Sequence, residues 1–444
     1  VYKRQTYGLG RRWGGQRQGM VGVALLATFP MFYSMSRYFY LEFALTAMVA
    51  LTVYLLLATD GFQKPRVSLL FGVCLGLGLL TKRTFALFVV GPVFAVILSS
   101  GLLPAAWQRL KRRPRLYWRN LLIAFTGGLA LAALWYFPNR EAVQTLVLGD
   151  ALFLLWWGLA AAAIYFGILP SAPLSNALSA FFLAAGLAST WYLGRIEFLE
   201  RVGLYAYGID DPRGRALQLD KLYTYTFYLR KLSSEHVSLA VFVVLVGVIL
   251  AAVAVSLRRR GSVGRFLKAI RPEGWVVLSW LGGAYLVLTF SIYHETRAIL
   301  PALPAVALLS TSALFKLHWR RLRVWLLALV LAFGIVQFFA LTYEPVSRLL
   351  PRGSILSPLW GRISLFAQGD FVQLPDEGDT DSGYWIEPQV LKRMEDRRLA
   401  LGEEMVTAGL LVNTSQINAG AFDYLVLTEY PHLRVEGLIG GLDE

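Results

Sequence analysis

Long apolar runs recur along most of the 444-residue chain, and short polar segments separate them. Runs of this length predict membrane-spanning helices, because a helix needs about 20 apolar residues to cross the hydrocarbon core. The expected fold class is therefore mainly α, a polytopic helical membrane protein with about eleven transmembrane helices. Their predicted ranges are 19–34, 41–58, 67–80, 84–103, 121–137, 151–169, 177–194, 237–257, 275–293, 298–314 and 324–342.

Three connections between predicted helices are so short that the flanking helices are expected to form hairpins. The first turn contains Arg37 and is followed by Glu42. The second contains Lys82 and Arg83, and the third has the sequence HETR at 294–297. Charges beside hydrocarbon are costly unless they reach the headgroups or find a partner. These turns are therefore the most informative polar positions in the chain.

The distribution of Lys and Arg predicts the orientation in the membrane. With the N-terminus in the cytoplasm, the segments on that side carry 23 Lys and Arg against two acids. The short turns on the other side carry five Lys and Arg. Because cytoplasmic loops collect Lys and Arg, we expect the three hairpin turns to lie on the outer face. The odd number of spans then predicts an extracytoplasmic C-terminal region.

The last hundred residues differ from the rest in composition. Residues 343–444 contain 8 Lys and Arg but 16 Asp and Glu. Helical spacing at 386–401 predicts a helix, and 405–412 and 422–427 predict strands. We therefore expect two domains, a membrane domain at 1–342 and a small α/β extracytoplasmic region at 343–444.

Composition limits the partners. The chain is 56% hydrophobic and 16% charged, well below the roughly 25% charged residues usual in soluble domains. Cytoplasmic loops account for the net charge of +15, so the expected partner is the lipid bilayer and no nucleic acid is expected. The single cysteine, Cys74, lies in an apolar run, so neither a disulfide framework nor a cysteine metal site is predicted.

Together, the three turns could form one anion site at the outer face. A lysine such as Lys82 offers a point charge, and Arg297 can bind phosphate through two N–H groups. The purely structural alternative for Lys82 and Arg83 is a tight turn whose side chains reach the headgroups. For Glu42, the structural alternative is an ion pair with Arg37.

The turns and their helices also resemble a known family. The segments are SMSRYFYLEFALTAMVALTVYLLL, GVCLGLGLLTKRTFALFVVGPVFAVIL and YHETRAILPALPAVALLS. They are similar to the polyprenyl-phosphate-sugar-dependent glycosyltransferases of family 39 and its relatives, which have the GT-C fold. Protein O-mannosyltransferases and bacterial lipid A aminoarabinose transferases are examples. The family pattern is an Arg and an acidic residue at a helix start, a Gly-rich helix ending in Leu-Thr-Lys, and an Arg-containing hairpin with two prolines. It falls on Arg37 and Glu42, on 72–82 and on 297–304.

The resemblance implies an integral enzyme of the bacterial plasma membrane. It would move a sugar from a polyprenyl-phosphate donor to an extracytoplasmic acceptor, which could be a glycolipid, a cell-envelope glycan or a protein. Lys82 and Arg297 are the main candidates to bind the donor phosphate, and Arg37, Arg83 and His294 are further candidates. Glu42 is a supporting carboxylate. No covalent cofactor is expected, and the resemblance leaves the sugar and any divalent metal open.

Two departures from the family pattern change the expectation. The family often has Asp where this chain has Glu42. Its members also begin with two helices and an outer loop that carries an acidic pair and the expected catalytic base, whereas this chain begins at VYKRQTYGLGRRWGGQRQG. We therefore expect an N-terminally truncated and inactive fragment whose catalytic base lies in the missing loop.

Other classes remain open at this level. A multi-span transporter or lipid flippase fits the number of helices, a polysaccharide polymerase or ligase fits outward-facing chemistry, and a scaffold fits a tail that binds a partner. The glycosyltransferase hypothesis predicts that Glu42, Lys82 and the 294–297 turn line one outward cavity. A scaffold predicts no such convergence.

Overall fold

A computed structural model describes residues 2–37, 40–102, 104, 172–192, 221–292, 294–343, 346, 354–357, 361–367, 386–410, 426 and 430–437. The predicted helices at 121–137 and 151–169 lie outside these residues. The predicted strand at 422–427 also does, apart from Val426.

The described part of the chain is mostly helical. Its α-helices are α1 (Tyr2–Gly14), α2 (Gln16–Ala27), α3 (Pro30–Met35), α4 (Leu41–Ala58), α5 (Pro65–Thr81), α6 (Phe85–Ser99), α7 (Ala172–Tyr192), α8 (Leu222–Lys231), α9 (Leu239–Arg260), α10 (Val263–Lys268), α11 (Pro272–Thr289), α12 (Leu303–Lys316), α13 (Arg320–Thr342) and α14 (Ile386–Leu401). A π-helical turn, Leu232–His236, joins α8 to α9, and a 3₁₀ helix, Thr296–Ala302, leads into α12.

Strands form two small sheets. β1 (Ser354–Ser357) pairs antiparallel with β2 (Gly361–Ser364), with Ser354 opposite Ser364. β3 (Val406–Leu410) pairs in parallel with β4 (Leu433–Gly437), with Val406 opposite Leu433. Leu391 of α14 and Leu433 are both buried in one small apolar cluster.

Four helical segments of the described residues are long and apolar enough to cross a membrane: Leu41–Ala58, Leu239–Arg260, Thr296–Lys316 and Arg320–Thr342. In Thr296–Lys316, 83% of the most apolar window is buried, against 22% in Leu239–Arg260. The 3₁₀ helix and α12 therefore form the centre of the bundle, whereas most of α9 is not buried by the rest of the protein. The chain is an integral membrane protein, and the count of eleven spans stays a prediction.

The N-terminal part of the bundle differs from the sequence prediction in two places. The single helix expected at 19–34 is divided, because α2 ends at Ala27 and α3 begins with Pro30 at its first position. Proline has no N–H to donate, so it starts a helix well but does not continue one. In addition, the polar segment before residue 19 contains α1, which packs on α2, α4 and α12.

Glycines allow the closest contacts between helices. A Cβ atom on Gly72 of α5 would lie 2.5 Å from the carbonyl oxygen of Ala180 in α7, and one on Gly91 of α6 would lie 2.5 Å from that of Ser279 in α11. These two pairs of helices therefore pack backbone to backbone, which fixes α5 and α6 on either side of the turn between them.

Contacts divide the chain into two compact units. The first comprises Val1–Gln337 and Gly353–Ala367, and the second comprises Phe338–Arg352 and Gln368–Glu444. The β1–β2 hairpin therefore belongs to the first unit, where the Ala367 N–H donates to the Gln337 side chain (3.2 Å). The two-domain division at residue 342 stays a prediction.

Candidate functional site

The turn between α5 and α6 is only three residues long and presents Lys82 at the end of α5. Lys82 has an extended backbone (φ −162°, ψ 135°), and its carbonyl accepts the N–H of Phe85 at 2.9 Å. The Phe85 ring packs on Gly78, where a Cβ would lie 2.3 Å from the ring. The glycine at 78 therefore allows the tight turn that sets the direction of Lys82.

Glu42 lies in the first turn of α4, the helix next to α5. Its residue surface is only 3% exposed, which is rare for a carboxylate without charged partners. Lys82 Nζ donates to Glu42 Oε1 at 2.7 Å, and the Lys82 side chain is 32% exposed. Because α4 and α5 run in opposite directions, the start of one and the end of the other meet at the same end of the bundle.

Arg297 reaches the same carboxylate from the 3₁₀ helix. Its Nε lies 3.4 Å from Glu42 Oε1 and donates to Glu295 Oε2 at 2.9 Å. Its guanidinium also covers the ring of Tyr40, 4.6 Å from the ring centroid. A stacked and doubly paired guanidinium has little freedom, so Arg297 is held in one place.

These contacts bring residues from three distant parts of the chain to one point. We name Glu42, Lys82 and Arg297 the cation pair site: one buried carboxylate with two cations, both partly exposed. Two partly exposed cations held by a buried carboxylate can bind an anion such as phosphate. Lys82 and Arg297 therefore meet on Glu42, while the predicted outward cavity and the chemical roles stay predictions.

Two other candidates, Arg37 and Arg83, lie just after the ends of α3 and α5. Arg37 follows α3, its side chain is exposed, and its N–H donates to the Ser34 carbonyl at 3.0 Å. Arg83 is exposed in the turn after Lys82. Within the described part of the chain, Lys82 and Arg297 are two partners that join Glu42 to other elements.

His294 lies among aromatic rings just before the Arg297 turn. Its ring centroid lies 5.1 Å from that of Phe227 and 6.1 Å from that of Tyr228. Burial lowers the pKa of His294, while a hydrogen bond with the Thr289 backbone acts in the opposite direction. Its Nε2 atom is buried without a hydrogen-bond partner among the described residues. Burial therefore favours the neutral ring, which packs among aromatic side chains of α8.

Sequence reasoning missed a group of buried polar residues at the π-helical turn. Glu235 is 2% exposed and pairs with Lys231, and His236 is fully buried. The His236 ring contacts the carbonyl oxygen of Thr296, directly before Arg297. The signal in the sequence is the polar stretch SSEH directly before a long apolar helix.

Apart from the cation pair site, the described residues form a small apolar groove and no metal cluster. The groove lies among α2, α9, α12 and α13, and its lining contains none of Glu42, Lys82 and Arg297. No group of three or more His, Cys, Asp or Glu side chains within the described ranges is placed to hold a metal ion.

Residues 5–124 match the family model described as dolichyl-phosphate-mannose-protein mannosyltransferase. The matched range contains Arg37, Glu42, Lys82 and Arg83 and ends before His294 and Arg297. No curated protein and no solved structure matches the chain. Over this range the chain is thus similar to a family of membrane glycosyltransferases.

Proposed function

We propose that the chain is part of a membrane glycosyltransferase that moves a sugar from a polyprenyl-phosphate donor to an acceptor at the outer face of the membrane. The observation that carries the proposal is the cation pair site, in which Lys82 and Arg297 meet on Glu42. The match over residues 5–124 supports the glycosyltransferase class. The match covers the two segments that supply Glu42 and Lys82.

The proposed reaction needs stabilised negative charge on a leaving group. An acceptor oxygen forms a bond to the anomeric carbon, and the bond from that carbon to the lipid phosphate breaks. The electron pair goes to the phosphate, and the acceptor proton goes to a base. Cations held beside the phosphate stabilise the charge that develops there. We assign Lys82 and Arg297 to this role.

Glu42 has a positioning role in this proposal. Its Oε1 atom already contacts both Lys82 Nζ and Arg297 Nε, so it sets the separation of the two cations. We assign no described residue as the catalytic base, and Arg37, Arg83 and His294 remain secondary candidates for contacts with the donor.

Charge supports an outer position for the site. At the opposite end of α4, Asp60 forms ion pairs with Arg12 and Lys64. Helix α9 follows the π-helical turn and carries three arginines, Arg258–Arg260, in its last turn at the other end. Eighteen residues of α4 separate the two ends by roughly 27 Å at 1.5 Å per residue, close to the hydrocarbon thickness. Because the basic end is expected in the cytoplasm, the cation pair site is proposed to face outward.

The test is donor cleavage by the full-length protein in liposomes. Polyprenyl-phosphate sugars labelled in the sugar are supplied, and release of the polyprenyl phosphate is measured together with labelled product. We expect Lys82→Ala to lower kcat/KM by about 100-fold or more, the effect of removing one charge-stabilising donor. The matched control is Arg66→Ala, which removes an exposed cation at the other end of α5.

The same assay separates the competing classes. A native rate in Lys82→Ala would overturn the role of Lys82. Movement of the labelled lipid across the bilayer without cleavage of the sugar–phosphate bond would identify a lipid flippase. Transfer of a whole glycan chain rather than one sugar would identify a polymerase or ligase.

A further inference from the structure

His236 connects two segments that are far apart in the sequence. It is fully buried at the end of the π-helical turn. Its Nδ1 atom lies 2.8 Å from the carbonyl oxygen of Lys231, and its Nε2 atom lies 2.9 Å from that of Thr296. The first contact is local, whereas the second spans 60 positions. Of the two ring contacts, the one at Nε2 therefore joins the π-helical turn to the 3₁₀ helix.

Both ring nitrogens face groups that only accept hydrogen bonds. A neutral imidazole has one N–H, so it donates to one of the two carbonyls, and only an imidazolium donates to both. A buried polar group that loses its partner costs about 1–3 kcal/mol. A hydrogen bond donated from Nε2 to Thr296 would therefore be a restraint of substantial strength between the two segments.

The bonded carbonyl is directly linked to Arg297. The Thr296 carbonyl and the Arg297 nitrogen belong to the same peptide group, which is planar. A hydrogen bond that fixes this carbonyl fixes the plane from which the Arg297 side chain leaves the backbone. Thr296 is 5% exposed, so solvent does not compete strongly for the carbonyl region.

The segment around His236 is itself held in unusual conformations. The π-helical turn is a rare element that is frequent at functional sites. Ser238 follows with φ 79° although it is not glycine, and it is fully buried. Such a backbone persists only when its surroundings determine it. The ion pair of buried Glu235 with Lys231 and the packing of this turn on α3, α9 and β2 supply those surroundings.

We infer that His236 is a positioning residue: by donating from Nε2 to the Thr296 carbonyl, it holds the 3₁₀ turn so that Arg297 reaches Glu42. The inference concerns the geometry of Arg297, and its bearing on catalysis rests on the proposed function. No step of the reaction passes through the His236 ring.

The test measures the position of Arg297 without an assay of activity. The full-length protein is treated with phenylglyoxal, and modification of each arginine is followed by mass spectrometry of peptides. Arg83, which is exposed in a neighbouring turn, serves as the internal reference. In the native protein, the Arg297 side chain is 26% exposed and paired, so we expect it to react slowly.

Three substitutions at His236 distinguish the contact at Nε2 from the contact at Nδ1. The amide nitrogen of glutamine occupies about the position of histidine Nε2, and that of asparagine about the position of Nδ1. We expect His236→Gln to keep the slow modification of Arg297. We expect His236→Asn and His236→Leu to increase it several-fold, with the rate at Arg83 unchanged.

Two results would overturn the inference. One is an equal rate of Arg297 modification in all four proteins. The other is failure of the variants to fold, because a residue needed for folding as a whole does not merely position Arg297. The labelling does not depend on transfer, so a protein that transfers no sugar can still show the predicted pattern. The proposed function then fails and the positioning role stands.

Discussion

Lys82 Nζ donates to Glu42 Oε1 at 2.7 Å and so joins the end of α5 to the start of α4 across 40 positions of the chain. Arg297 is the second cation on the same oxygen. Removing one partner of a buried ion pair costs about 3–5 kcal/mol, and less where the partners are partly exposed. We predict that Glu42→Ala lowers the free energy of unfolding by about 2–3 kcal/mol, measured by denaturant titration in detergent.

The control for this prediction removes charge on both sides. The double variant Glu42→Gln, Lys82→Met leaves no cation at position 82 that requires Glu42. Its loss of unfolding free energy is expected to be smaller than the sum of the losses in Glu42→Gln and Lys82→Met measured singly, because contacting residues couple by about 0.5–3 kcal/mol. Strict additivity would show that the contact between Lys82 and Glu42 contributes nothing.

Close packing of α5 on α7 supports the position of Lys82 from behind. A side chain at Gly72 would overlap the backbone of Ala180, and backbone cannot move aside as a flexible side chain can. We predict that Gly72→Val lowers the free energy of unfolding by about 1–3 kcal/mol, the usual cost of overpacking. Thermal unfolding in detergent measures the effect.

Gly247 of α9 is the matched control, because no atom lies within 4 Å of a Cβ built there. Alanine in a helix is favoured over glycine by about 0.5–1 kcal/mol. Gly247→Ala is therefore expected to keep or slightly raise the unfolding temperature. If Gly72→Val is equally harmless, α5 and α7 are not packed as closely as described.

Much of the helical layout could be predicted from the sequence because it depends on local pattern. The range predicted for α4, 41–58, equals the observed Leu41–Ala58, and α14 spans the predicted 386–401. The apolar runs specify helices directly, and the charged turns specify where the runs end. The contact of Lys82 and Arg297 with one carboxylate agrees with the prediction that their turns open on the same face.

The remaining features depend on contacts that no local pattern records. Helix α1 is polar in composition, yet Thr6 and Leu9 are buried because Gly10 meets Gly19 of α2 at close range. The role of His236 depends on a bond to Thr296, 60 positions away. Neither has a periodic signal, because each is set by tertiary packing.

A charged contact attaches α1 to the rest of the bundle. Arg12 donates to Asp60, which also pairs with Lys64, and all three side chains are about one-third exposed or more. We predict that Asp60→Asn weakens this attachment by about 1 kcal/mol or less, the usual value of exposed pairs. Asparagine also tolerates the left-handed backbone at this position (φ 53°), so the change isolates the charge.

Limited trypsin digestion measures that attachment. Cleavage after Arg11 and Arg12 is expected to be faster in Asp60→Asn than in the native protein, and the difference is expected to shrink as salt is added. Glu395→Gln is the control, since it removes the ion pair with Arg398 in α14 and leaves Asp60 in place. Equal cleavage of Asp60→Asn and native protein at low salt would exclude the predicted attachment.

Burial of His236 predicts a specific dependence of stability on pH. Burial lowers the pKa of His236 from 6.5 to about 4, the two backbone carbonyls act in the opposite direction, and the charge of Lys231 lowers it further. Between these two pH values the unfolded chain binds more protons than the folded one, so the free energy of unfolding rises with pH. This contribution is complete above pH 6.5 and is lost as the pH falls towards 4; it amounts to roughly 3 kcal/mol at 1.36 kcal/mol per unit. The measurement is denaturant unfolding of the native protein and of His236→Gln at several pH values. The difference in free energy of unfolding between the two proteins is expected to change between pH 4 and pH 6.5 and to stay constant above pH 6.5. A constant difference at every pH would mean that the pKa of His236 does not change on unfolding.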